Sequence, residues 1–195
     1  VSTEDEQIAL IARQFGAEVI PRPPSLAQDT TASEPVLLHA LDWLASVCQI
    51  KPEAVAMLQC TSPLRGGDVI ERAVDKLLGT GCDAVVGVHP TIEHFFCAEL
   101  EGDKLVTAYD PRHRPRTQDI PPRYRENGSV YVTRVTHLLR TGCRMGGDMR
   151  AVLMSAVEGL DIDDYHDLMV ARAYLETQPW SASPVEISSH VSLTL

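Results

Sequence analysis

The chain has 195 residues, with 27 Asp+Glu against 17 Lys+Arg and a formal net charge of −10. That acidic balance argues against nucleic acid or an anionic membrane as the main partner, and 44% hydrophobic with 23% charged content excludes global disorder. No apolar run reaches the roughly 18 residues of a membrane span. The five scattered cysteines, with no Cys-x-x-Cys pair, read as reduced thiols of a cytoplasmic protein, not as a disulfide frame or zinc site.

Ile8, Ile11 and Phe15, with Leu10 beside them, predict a helix over Glu4–Phe15, capped by Ser2 or Thr3 and stopped at Gly16. Ala17–Ile20 is a short strand candidate, and Pro21, Pro23 and Pro24 force an extended loop after it. Val36, Leu37, Ala40, Leu41, Leu44 and Val47 make one apolar stripe and predict a helix over Ser33–Val47, with Ser33 as N-cap and Pro35 in the first turn. Ala54–Leu58 and Ala84–Val88 read as buried strands, with a helix over Asp68–Leu78 between them. This alternation predicts an α/β unit with a mostly parallel sheet. After Val88 the rhythm breaks. Phe95–Leu100 and Leu105–Ala108 suggest a hairpin around Gly102-Asp103, followed by a Pro- and Arg-rich stretch from Asp110 to Glu126. Ser129–Val135 and Ala151–Ala156 are strand-like, and Leu168, Met169, Ala171, Ala173 and Leu175 mark a last helix. The organisation is one domain over residues 1–176 with an excursion at about 94–127, then a Ser/Pro-rich tail, 177–195.

Four constellations could carry chemistry. In an extended Asp161-Ile162-Asp163 both carboxylates point the same way and could reach one Mg²⁺, which takes one or two carboxylates plus phosphate oxygens and water. The alternative is an acidic turn that caps the next helix through Asp163 or Asp164. Arg112, Arg114, Arg116, Arg123 and Arg125 fall close together in an acidic protein and suit carboxylate or phosphate; a solvated loop or an interface rim would look the same. Gln59-Cys60-Thr61-Ser62-Pro63-Leu64-Arg65 follows a strand candidate, where α/β sheets place ligands, so its polar groups could hydrogen-bond a sugar or merely form a turn set by Pro63. Arg22-Pro23 and the polar run Gln28–Ser33 lead into a helix N-terminus that suits a nucleotide or ordinary capping.

The order of these motifs is more telling than any one of them. Val1-Ser2-Thr3-Glu4-Asp5-Glu6, Arg22-Pro23 to Asp29-Thr30, the Gln59–Arg65 run, Arg116-Thr117-Gln118, Tyr124–Tyr131 and Asp161-Ile162-Asp163 occur in one chain. From Val1 to about Leu175 it resembles the acylneuraminate cytidylyltransferases, the CMP-sialic acid synthetases. The resemblance implies a Rossmann-like nucleotide-diphospho-sugar transferase sandwich working as a homodimer. It implies transfer of CMP from CTP to the anomeric hydroxyl of a nine-carbon keto sugar, with release of pyrophosphate and dependence on Mg²⁺. By position, Asp161 and Asp163 match metal aspartates, and Arg22, Thr31 and Ser33 a cytidine-contacting segment. Gln59, Thr61, Arg116, Gln118 and Tyr131 match sugar-contacting positions, with Arg116 also a candidate for catalysis; no general base is named. The excursion would supply much of the dimer contact and bring basic side chains to the partner's site. Cys60 stands where the family usually has Pro, and Ser129 where Ala is usual. The family's opening strand and its Gly/Ser/Lys/Arg triphosphate loop lie upstream of Val1. Without that loop the expectation is a weak or inactive chain with an exposed apolar sheet edge, and the rival reading is a non-catalytic dimerising or binding protein that keeps the fold.

Overall fold

The computed structural model describes residues 1–91 and 97–177. Its elements in chain order are β1 (Ser2–Thr3), α1 (Glu6–Gln14), β2 (Ile20–Pro21), α2 (Ser33–Ser46), β3 (Ala54–Leu58), α3 (Gly67–Thr80) and β4 (Ala84–Thr91). Next come β5 (Ala98–Glu101), β6 (Lys104–Thr107), β7 (Arg123–Arg134), α4 (Val135–Thr141), β8 (Met149–Leu153) and α5 (Tyr165–Thr177). No helix among the described residues is long and apolar enough to cross a membrane. The tail expected from Thr177 lies outside the described residues beyond that one position, as do Phe95 and Phe96 of the expected hairpin and the start of the excursion.

A four-stranded sheet has the order β3-β7-β4-β8, beside a parallel pair β1-β2 and an antiparallel pair β5-β6. The sheet is mixed. Val135 N–H bonds Glu53 O at one end of β3, and Arg65, just beyond the other end, reaches Ser129, so β7 runs against β3. Arg134 N–H bonds Asp83 O where β4 starts, while Gly87 lies beside Val130, so β7 also opposes β4. Asp83 N–H to Asp148 O and Met154 N–H to Val88 O set β8 parallel to β4. The expected mostly parallel sheet is therefore mixed: β3, β4 and β8 run one way, and β7, reversed among them, makes two of the three neighbouring pairs antiparallel.

The chain divides into two units, each threaded several times. The first holds Val1–Met57, Lys76–Val85 and Tyr131–Arg150. Its core is Leu41, Leu77, Cys82, Ala84, Val85, Tyr131, Val132 and Leu138. Arg134 pins it, donating to Glu53 Oε1 at 2.6 Å, Cys82 O at 2.9 Å and Leu77 O at 3.3 Å. Helix α1 is capped by Asp5, which accepts from Gln7 and Ile8 N–H at 2.7 and 2.9 Å. Ser2 and Thr3, expected as caps, are instead drawn into β1, with Ser2 opposite Ile20 and Thr3 opposite Pro21. The apolar stripe of α1 faces out: Ile8 and Ile11 are exposed, Phe15 is 86% exposed, and Ala9 is the buried residue. Ala32, not Ser33, is the N-cap of α2, so Ser33 opens the first turn. Helix α4 was not expected, because Val135 reads as the end of a strand; Gly142 closes it in the left-handed region at φ 67°.

The second unit holds Leu58–Asp75, Val86–Val130 and the chain from Ala151. Val69, Ala73, Val86, Ile120, Val130, Val152, Met154 and Ala171 are its buried apolar residues. The β5–β6 hairpin closes with Glu101 opposite Lys104, leaving the expected two-residue Gly102-Asp103 turn. The Pro- and Arg-rich stretch folds into two short 3-10 turns, Pro111–His113 and Thr117–Asp119, before β7 begins at Arg123, six residues earlier than the alternation from Ser129 suggests.

Candidate functional site

Within the second unit, three segments that are far apart in sequence meet. The first is the loop after β3. Its Gln59 carbonyl accepts from Ser62 N–H at 3.3 Å and from the Arg65 guanidinium at 3.4 Å. Arg65 also bonds the Ser129 carbonyl and, at 3.3 Å, the Ser129 hydroxyl, clasping this loop to β7. Burial pulls the Arg65 pKa below its ordinary value, yet a guanidinium stays charged at neutral pH.

The second segment is Asn127-Gly128 on β7, with Gly128 at φ 71°. A Cβ there would overlap Gln59 Oε1 and stand 3.2 Å from Asp161 Oδ2. The Gln59 amide and the Asp161 carboxylate therefore converge on one glycine α-carbon, a place that only a residue without a side chain leaves open.

The third segment is Asp161–Asp163, tied to the first by Ile162 N–H donating to Thr61 O at 2.8 Å. It is irregular rather than a strand, and Ile162 is half-buried rather than turned fully to the core. Asp161 Oδ1 is buried and has no hydrogen-bond partner. Such an oxygen is costly unless a cation or donor joins it. The expected capping alternative holds for Asp164 and not for the Asp163 side chain: Asp167 N–H donates to Asp164 Oδ1 at 3.0 Å, and Asp167 Oδ2 accepts from the N–H groups of Asp164 at 3.2 Å and Asp163 at 3.0 Å. This is a reciprocal capping box, and the Asp163 side chain takes no part in it. Among the described residues no group of three His, Cys, Asp or Glu is arranged to hold a metal. Two carboxylates do not close a metal shell by themselves; Mg²⁺ commonly takes one or two, with phosphate oxygens and water as its other ligands.

The other expected site residues lie as follows. Thr61 is in the loop just described. Arg116 and Gln118 are exposed on the second 3-10 turn, where Arg116 forks onto Asp119 with Nε and Nη2 at 2.7 and 3.0 Å. Arg112 and His113 bond Asp110 in the same local way, and Arg112, the larger influence, holds the Asp110 carboxyl down at about 2. In the first unit, Arg22 is paired with Glu4 at 2.6 Å, which lowers the Glu4 pKa, and Thr31 Oγ1 accepts from Gln28 N–H at 3.2 Å. Ser33 begins α2. Tyr131 is 3% exposed under the Arg144 guanidinium, 4.6 Å from its ring centre, so little of its surface is left for a ligand. Burial works against the Arg144 charge, but Tyr131 and Glu34 together raise its pKa. Sequence reasoning quoted Arg65 and Asn127 within their motifs without giving either a role, and it did not single out Arg144 beside Tyr131. The Asn-Gly doublet was the available signal for Asn127.

No family model matches the chain. An N-acylneuraminate cytidylyltransferase of Escherichia coli is 26% identical over 88% of this chain and 40% of its own length. A CMP-N,N'-diacetyllegionaminic acid synthase of Legionella pneumophila is 29% identical over 90% of this chain and 77% of its own. The chain resembles the acylneuraminate cytidylyltransferases. Its fold is similar to that of a CMP:2-keto-3-deoxy-manno-octonic acid synthetase complexed with CTP, with a TM-score of 0.57, 14% identity, and 91% of this chain and 80% of that one covered. The α/β fold expected from the alternation of strands and helices is thus present, while the chain spans about 40% of the length of the E. coli relative.

Proposed function

We propose that this chain belongs to a cytidylyltransferase that moves CMP from CTP to the anomeric hydroxyl of a nine-carbon keto sugar, releasing pyrophosphate. The observation that carries this reading is the convergence of Asp161, with its buried unpartnered oxygen, and Gln59 on the Gly128 α-carbon, in a chain similar along most of its length to enzymes named for that reaction. Asp161 and Asp163 are the residues that would hold Mg²⁺, which would supply positive charge to offset the negative charge developing on the phosphate. Gln59 and Thr61 orient the sugar. Arg65 keeps Gln59 in place through its carbonyl. Arg116 exchanges Asp119 for an anionic group of the ligand, and Arg22, Thr31 and Ser33 serve the nucleotide. With the reacting groups so positioned, in-line attack by the sugar hydroxyl on the α-phosphate accounts for much of the rate. The working protein is a cytoplasmic homodimer.

The test is pyrophosphate release from CTP and Mg²⁺ with N-acetylneuraminate, legionaminate or pseudaminate, beside calorimetry with the same ligands. Turnover with one of these sugars, falling about 10²-fold or more in Asp161→Asn, supports the reading. Absence of both turnover and Mg·CTP binding overturns it.

A further inference from the structure

Asn127 is 5% exposed, and its amide is held on every side. Oδ1 accepts from Ser129 N–H at 3.2 Å, and Nδ2 donates to Met154 Sδ at 3.3 Å. Two glycines from other elements close on the same group. A Cβ at Gly87 of β4 would stand 2.9 Å from Asn127 Oδ1, and one at Gly159 would stand 3.0 Å from Cγ, 3.1 Å from Cβ and nearer still to Nδ2. The bond from Oδ1 to Ser129 N–H spans Gly128, so the Asn127 side chain closes a local turn around the residue held at φ 71°. The α-carbon of that turn lies against Gln59 Oε1 and Asp161 Oδ2.

We propose that Asn127 is a positioning residue: locked between Gly87 and Gly159, it fixes the Gly128 turn and, through it, the separation of the Gln59 amide from the Asp161 carboxylate. It touches no substrate. The proposal rests on the assignment of those two side chains to sugar and cation, and it adds the device that holds them at working distance. A residue that only fills space could be trimmed without disturbing Gln59. A residue that sets the turn could not.

The experiment is NMR of the whole chain labelled with ¹⁵N, with Mn²⁺ as the cation probe, on the wild type, Asn127→Ala and Gly159→Ala. The second variant presses a methyl on Asn127 while leaving its amide in place, and it serves if the first folds poorly. In either variant the Gln59 side-chain amide signals should shift and narrow, and Mn²⁺ affinity should fall about 10-fold to 100-fold, as expected when a supporting residue is removed. The Gly159→Ala change should do less further harm in Asn127→Ala than in the wild type, because the amide it presses on is gone and only the 3.1 Å approach to Cβ remains. A lowered melting temperature with unchanged Gln59 signals and unchanged Mn²⁺ affinity overturns the proposal. If Mn²⁺ fails to broaden the Asp161 region of the wild type, the metal assignment falls separately, and the Gln59 response alone decides whether Asn127 positions it.

Discussion

Asp161 and Gly128 show how few atoms set this site. A buried carboxylate oxygen with no partner is a stability cost carried by the folded chain. Asp161→Asn, measured without divalent cation, should therefore leave the melting temperature equal to or above that of the wild type while cation binding is lost, the usual trade between a site and the stability of its fold. Gly128→Ala should, by contrast, lower stability as well. Its left-handed backbone costs a side-chain-bearing residue about 1–2 kcal/mol, the new methyl displaces Gln59, and both melting temperature and sugar turnover should drop. The pair Asp161 and Asp163 was legible because Asp-x-Asp is a local pattern, and the capping alternative was legible for the same reason; the structure gives the cap to Asp164 and Asp167. Arg65 and Asn127 stood in the quoted motifs, but their roles were not legible. Their partners at Ser129, Met154, Gly87 and Gly159 are settled by how strands are threaded, which no local spacing records.

Helices and turns were read well where a periodic stripe or a capping side chain announces them, and poorly where a neighbour decides. The start of α1 moved because Thr3 is claimed by pairing with Pro21. The first residues of β7, Arg123–Glu126, carry no apolar alternation, so only their place in the strand reveals them. The box at the start of α5 predicts that Asp164→Ala lowers stability by about 1 kcal/mol, checked by thermal melting with the helical signal as readout. The Asp110 turn gives a pH test. Its carboxyl sits at about 2 against an ordinary 3.8 because Arg112 and His113 bond the charged form. A depressed carboxyl favours the folded turn above its ordinary pKa, and that contribution is lost as pH falls from about 4 toward 2. Carboxyl ¹³C NMR should find the Asp110 midpoint near 2 in the wild type, moving toward 3.8 in Arg112→Ala.

At the scale of the molecule, alternation of strand and helix was enough to read an α/β fold, and the comparison with a CTP-bound synthetase agrees with it at the level of fold. The reversed direction of β7 was hidden, since a buried strand has the same apolar character whichever way it runs. The core depends on α3 meeting the sheet. Leu77 is fully buried in the first unit, so Leu77→Ala should cost about 2–5 kcal/mol, read as a shift of the denaturation midpoint at unchanged slope. The order β3-β7-β4-β8 also has a kinetic meaning. Strands β3 and β4 are synthesised early and 25 residues separate the end of one from the start of the other, yet they are not hydrogen-bonded neighbours, because the strand that belongs between them emerges later. A nascent chain ending before Arg123 has β3 and β4 without the strand that joins them, so closure waits for distant sequence, a condition associated with slow folding. The stretch of synthesis that first lets Gln59 meet Gly128 is thus also the one that supplies the strand joining β3 to β4, and β8 and Asp161 are added to that centre afterwards.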